Sequence, residues 1–210
     1  MTDWVKFIQA KIKLAQKGAA PSPPNVDART PPGQHVVTNF PVLDLGIRPD
    51  LTRAAWRLRL FGLVRQEVTL DWAALLRLPQ VKSVSDFHCV TRWSQLDMLW
   101  EGVAARDVIR LAEPSPDAHF VTLHSYDEYT TNLPLEALLD ADVLVAYSVL
   151  GKPLSNTHGG PVRLVVPKRY GWKSAKWLKG IEFHQVDRPG FWEVRGYHND
   201  ANPWQEERFG

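Results

Sequence analysis

Hydrophobic and polar positions follow several different rhythms along this chain. In residues 3–17, apolar side chains recur at Trp4, Phe7, Ile8, Ile12 and Leu14 or Ala15, with lysines opposite. That spacing draws one helical stripe and predicts a short amphipathic helix docked on the main body, with a membrane-surface helix as the alternative. The rhythm stops in residues 18–34, where Pro21, Pro23, Pro24, Pro31 and Pro32 stand with two glycines. Such a stretch predicts an extended connector. The division is therefore an N-terminal helix and connector at 1–34 and one main domain at 35–210.

Within the main domain, short strands and short helices follow one another irregularly. Trp56-Arg57-Leu58-Arg59-Leu60 alternates apolar and basic residues and continues into Phe61-Gly62-Leu63-Val64, a half-exposed strand. Residues 71–76 predict a helix that Thr69 or Asp71 caps and Pro79 ends. Further strands are predicted at 81–90, 119–125, 143–147, 162–166 and 181–184. Helices are predicted at 104–111, from Leu133-Pro134 onward and at 176–179, and a tight turn at 150–154. With no internal repeat and no βαβ series, the class is α+β on mixed sheets.

Composition narrows this picture. The 210 residues are 44% hydrophobic with nine Trp and eight Phe, enough for a core without staples. One cysteine cannot form an internal disulfide. A net charge of +2 excludes a generally basic nucleic-acid coat and an acidic disordered chain. Lysines interrupt the N-terminal segment, with no apolar signal core, and no stretch reaches the roughly 18 apolar residues of a membrane span. A cytoplasmic location is expected.

Three segments carry candidate chemistry. In Asp86-Phe87-His88-Cys89-Val90-Thr91-Arg92-Trp93, the lone Cys89 reads as an inert core thiol, a nucleophile or a soft metal ligand. Alternation along a strand turns His88 away from Cys89, whereas Arg92 is placed to favour the thiolate. Between Arg163 and Lys179 lie six basic residues and no acidic one. There, Tyr170-Gly171-Trp172-Lys173-Ser174 offers a glycine for close approach and a serine to cap a helix N-terminus, a phosphate-binding arrangement. A solvated basic face or a single-stranded nucleic-acid site remain open. In His158-Gly159-Gly160-Pro161-Val162-Arg163 a glycine pair precedes a strand between two potential donors, either a plain turn or a backbone passing close to a ligand.

Taken together, these segments resemble the molybdopterin-binding domain of the sulfite oxidase family, from about Asn39 to Tyr197. The run Gly151 to Leu154, His158 to Pro167 and Tyr170 to Leu178 carries the likeness most specifically. The resemblance implies that family's fold of mixed β-sheets with short helices. It also implies a molybdenum–molybdopterin cofactor and two-electron oxygen-atom transfer on a small sulfoxide-type or sulfite-type substrate. Cys89, in a Cys-x-x-x-Trp setting like that of the bacterial sulfoxide-reductase branch, would be the metal ligand. His158 and Arg163 would contact the pterin and its phosphate, with Ser174, Ala175 and Lys176 as the phosphate-anchoring turn. Ser125 and Asn39 would add cofactor contacts, while Arg92 and Tyr197 would face the substrate. Sulfite oxidases proper carry an arginine-rich segment after the cysteine; here only Arg92 stands there, which argues against sulfite. Electrons would pass to or from an unidentified partner protein, with no nucleic acid involved. The alternatives are a non-catalytic pterin carrier and a nucleic-acid-binding protein using residues 163–179.

Overall fold

The computed structural model describes residues 3–16 and 28–210; Pro21, Pro23 and Pro24 of the expected connector lie outside these described residues. Helix α1 (Asp3–Gln16) buries Ile8 and Ala15 on the stripe expected of it. No helix among the described residues is long and apolar enough to cross a membrane.

The main body is built on two mixed sheets. Its strands in chain order are β1 (His35–Val36), β2 (Arg57–Gly62), β3 (Val68–Asp71), β4 (Gln80–His88), β5 (Trp93–Ala104), β6 (Phe120–Ser125), β7 (Thr130–Pro134), β8 (Leu144–Val149), β9 (Lys152–Pro153), β10 (Arg163–Val165) and β11 (Leu178–His184). Short helices α2 (Trp72–Arg77), α3 (Ala105–Arg110) and α4 (Leu135–Leu138) connect them. One sheet runs β1-β5-β8-β10, with β4 also on β5 and β9 on β8; the other runs β3-β2-β11-β6-β7. β1 lies parallel to β5 and β11 parallel to β2, while the other pairs are antiparallel. This is the α+β class expected.

Local chemistry explains several boundaries. On β2, Leu58 and Leu60 are buried while Arg57 and Arg59 face out, the alternation of a one-sided strand. Asp71 caps α2 by accepting from Ala74 N at 2.7 Å, and Leu78 before Pro79 is extended. One core cluster draws on both sheets through Leu58, Leu60, Leu123, Val145, Leu164 and Ile181. A second, rich in aromatic rings, joins α1 to Phe87, Trp93, Trp100, Tyr170, Trp172 and Tyr197.

Two expectations are overturned. Residues 176–179 are not helical: Trp177 has φ 45° and Leu178 opens β11. The backbone there is already engaged, because Trp177 N donates to Gly159 O at 3.0 Å and Leu178 N to Val162 O at 2.9 Å. Residues 133 and 134 likewise end β7 before α4 begins.

Candidate functional site

The aromatic cluster borders a pocket with about 930 Å³ of space between protein atoms, counting its open mouth. Cys89, Ser125, His158, Arg163, Ser174, Lys176 and Tyr197, expected from sequence to share a site, all line it.

Arg163, at the start of β10, is buried, and its guanidinium is held by carbonyl oxygens. It donates to His158 O and Ser174 O at 2.9 Å each and to Leu164 O at 3.3 Å. No carboxylate among the described residues forms an ion pair with it, and burial pushes it down to about 9. The ring of Phe87, 5.3 Å from the guanidinium carbon, is a further neighbour. Lys176 donates to Thr157 O at 2.7 Å. Burial first, then the charge of Arg163, pushes its ammonium down to about 7. A buried guanidinium and a half-buried ammonium, neither held in an ion pair among the described residues, are costly alone and suit an anion.

The surrounding turns fix these cations. Gly159 sits at φ 93°, and a Cβ there would come within 2.7 Å of the Lys176 side chain. A Cβ on Gly171 would meet the Phe87 ring at 2.6 Å. These glycines therefore admit side chains of the protein itself. His158 stacks on Phe40 at 4.3 Å between centroids, and its ring contacts Phe40 O and Ser155 Oγ, each at 3.0 Å. Ser174 Oγ accepts from Val166 N at 2.9 Å. Ser174 thus locks the chain that presents Arg163 and caps no helix, correcting the expected helix N-terminus.

Cys89 lies in the turn after β4. Its Sγ is 3.1 Å from Thr91 Oγ1. Burial pushes the thiol up, opposed by Thr91 and by the charges of Arg208 and Lys11. Tyr197 stacks on Trp192 at 4.8 Å and meets Trp172 edge-on at 5.1 Å. Its phenol is pushed up by burial and by the neighbouring Cys89. His88 faces elsewhere, with its ring 2.8 Å from Ser94 Oγ, in a separate groove beside Trp204.

Three expected site residues do not line the pocket. Arg92 has φ 72°, which turns its side chain toward the C-terminal segment, 4.0 Å from Glu206. It is not among the cations acting on the thiol. Ala175 belongs to the main core, and Asn39 is exposed beside Phe40. The basic run is also dispersed. Lys173 is fully buried, 2.7 Å from Glu193; Lys168 pairs with Asp140, Arg169 with Asp200 and Lys179 with Glu128. Only Arg163 and Lys176 of the six face the pocket, so the surface invoked for nucleic acid is not one surface.

Sequence reasoning missed Lys11, Asp44, Thr91, Asp127, Tyr129, Trp172 and Trp192 as lining residues. The Cys-x-Thr spacing was the available signal, whereas Lys11 reads as one of the lysines opposite the α1 stripe.

The donor set fits an anionic heterocycle bearing a phosphate and a soft metal. Besides two cations without acid partners, Ser125 Oγ and Trp93 Nε1 are buried on this wall with no partner in the protein. Each is a donor that a polar ligand would satisfy. Cys89 is the single soft donor, and the described residues hold no cluster of His, Cys, Asp and Glu able to bind a metal unaided.

Comparisons with known proteins agree. The oxidoreductase molybdopterin binding domain matches residues 45–192. The uncharacterized oxidoreductase YuiH of Bacillus subtilis (strain 168) is 46% identical over 184 residues, covering 86% of this chain and 92% of that protein. The protein-methionine-sulfoxide reductase catalytic subunit MsrP of Gluconobacter oxydans (strain 621H) is 29% identical over 171 residues, 70% of this chain but 54% of that subunit. The sulfane dehydrogenase SoxCD from Paracoccus pantotrophus superposes with a TM-score of 0.64 at 21% identity, over 75% of this chain and 46% of that one, a shared fold.

Proposed function

The chain belongs to the sulfite oxidase family of molybdopterin-binding oxidoreductases, and from that we propose that the pocket beside Cys89 binds molybdenum–molybdopterin and transfers an oxygen atom to or from a small sulfoxide-type or sulfite-type substrate. The carrying observation is Arg163, buried without an acid partner in the pocket that also holds the lone cysteine. When bound, the group supplies two-electron oxygen-atom exchange.

The chain's own residues do the rest. Cys89 would hold the metal, losing its thiol proton as the metal binds. Thr91 is placed to donate to that sulfur. Arg163 and Lys176 would take the phosphate, with His158, Ser125 and Ser174 orienting the ring system. Tyr197 would donate a hydrogen bond to the substrate oxygen. The rings of Trp172 and Trp192, packed on Tyr197, would shield that end from water. In the reducing direction a sulfoxide gives up its oxygen as water, taking two electrons and two protons. In the oxidising direction water supplies the oxygen, and two electrons and two protons leave. A partner protein would exchange these electrons. The relatives named for methionine sulfoxide favour the reducing direction.

The test is elemental analysis of the purified protein for molybdenum, with fluorescence of the oxidised pterin alongside. Near-stoichiometric metal in the native protein and its loss in Cys89→Ser, with the fold retained, is the expected result. Stoichiometric metal and full activity in Cys89→Ser would sink the assignment of Cys89.

A further inference from the structure

Helix α1 lies outside the 45–192 stretch that carries the family likeness, yet it forms part of the pocket wall. Its buried face holds it there. Ile8 and Ala15 are buried, Ile12 packs on the aromatic cluster, and Trp4 meets Phe191 edge-on at 5.7 Å. The Phe7 ring reaches within 3.8 Å of where a Cβ on Gly46 would stand. This seating places half-buried Lys11 on the pocket wall with Cys89, Val90 and Thr91.

Lys11 differs from the two anchoring cations. Its ammonium lies 5.2 Å from the Phe7 ring centroid, and no acidic side chain among the described residues pairs with it. Arg163, Asp44, Arg48 and Asp127 are the charges acting on Lys176, whereas Arg208 and Lys11 act on Cys89. A phosphate held by Arg163 and Lys176 therefore leaves Lys11 on the side of the pocket where the Cys89 sulfur stands. Arg92, expected from sequence to meet a substrate anion, points to Glu206 instead. On the Cys89 side of the pocket the lining is largely apolar, through Val90 and the mutually packed rings of Trp172, Trp192 and Tyr197.

We propose that Lys11 is the substrate-recognition cation of this pocket and that the substrate carries a negative charge beside an apolar body. The inference rests on the reading of the pocket as an oxygen-transfer site. An anion reaching Lys11 gains a charge-assisted hydrogen bond in a half-desolvated setting. The apolar body displaces water from the aromatic wall.

Two probes separate charge from shape: N-acetylmethionine sulfoxide and its uncharged amide. Binding to the molybdenum-loaded protein is read from quenching of the pocket tryptophans, and turnover with reduced viologen as electron source is read separately. The native protein should bind the acid more tightly than the amide. Lys11→Met should weaken the acid by about tenfold, the low end for one charge-assisted hydrogen bond, and leave the amide within about twofold. Lys11→Arg should restore the preference. Native protein that does not prefer the acid, or a variant that loses acid and amide equally, overturns the proposal; equal loss would mean that α1 has merely shifted. Preferential binding without reduction of either compound leaves Lys11 assigned and instead removes the sulfoxide reading of the reaction.

Discussion

The two ends of the pocket are assembled in opposite ways. At the anchoring end, His158, Arg163, Ser174 and Lys176 come from one compact stretch, and carbonyl oxygens of that same stretch hold the cations. At the thiol end, Cys89, Tyr197 and Lys11 come from the β4–β5 turn, the C-terminal segment and α1. The anchoring end is thus local, cationic and preorganised, whereas the thiol end is a tertiary product that depends on distant elements staying docked. Preorganised charge suits a permanently held cofactor, and a wall made of separable parts suits a site that must admit substrate.

The strongest way to break this contrast is at Lys173. Its ammonium is 2.7 Å from Glu193 Oε1, which also accepts from Trp172 Nε1 and Thr131 Oγ1 at 2.9 Å each. Lys173→Met leaves Glu193 as a buried acid without its cation. The expected cost is about 3–5 kcal/mol, which at roughly 2–4 °C per kcal/mol for a chain of this size lowers Tm by about 6–20 °C. Because Trp172 hangs from the same carboxylate, substrate affinity should fall before cofactor content does. Calorimetry and pterin content measured on one preparation check both; cofactor lost first would erase the distinction between the ends.

Lys173 also shows where sequence reading stops. A run of basic residues without acids reads as one positive field, but the partners Glu193, Asp140, Asp200 and Glu128 lie at least twenty residues away in sequence. The anchoring end was legible because its residues share one dense segment with glycines forced by close packing. Cys89 was legible as the sole soft donor. Arg92 does not line the pocket, and the left-handed φ that accompanies its turn toward Glu206 cannot be seen in a string of letters. β5 escaped notice because its twelve residues are mostly buried on both faces and carry Asp97, Glu101 and Gly102, so no period of two survives. At 176–179 long-range backbone hydrogen bonds to Gly159 and Val162 override the expected helix.

At the anchoring end, the next largest effect belongs to Lys176. Lys176→Met should weaken cofactor retention by about 10- to 100-fold, the range for one charge-assisted hydrogen bond. Pterin content after gel filtration measures this, and unchanged content would remove Lys176 from the anchor. The fold should survive, because the substitution removes a half-desolvated charge that no ion pair holds.

The same lysine makes the cofactor-free protein sensitive to pH. Its folded pKa near 7 lies below the usual 10.5, so across that window the unfolded chain holds one more proton than the folded one. Stability therefore rises with pH from about 7 toward 10, and below 7 the penalty is constant because both states are protonated. Arg163, near 9, adds to the rise only above that value. Denaturant unfolding of cofactor-free protein from pH 6 to 10 should show this slope, and Lys176→Met should flatten it between 7 and 9. Loading with cofactor should flatten it too, since a phosphate keeps the ammonium charged. A slope that survives in the variant would place its origin elsewhere.

The smallest expected effect is the most selective one. Ser125 Oγ is buried on the pocket wall and has no partner in the protein. In most buried sites removing a hydroxyl orphans the group that bonded to it, and that orphan accounts for much of the loss. Here no protein group is orphaned. Ser125→Ala should leave cofactor-free stability unchanged or raise it slightly, because an unsatisfied polar atom is removed from the interior. With cofactor present the sign reverses: one hydrogen bond is lost, about 1 kcal/mol or roughly fivefold in retention. Comparing Tm with and without cofactor, in native and variant protein, isolates this reversal. A Ser125 that serves only the fold would lower both values together, and the pocket wall would then lose one of its two buried unsatisfied donors.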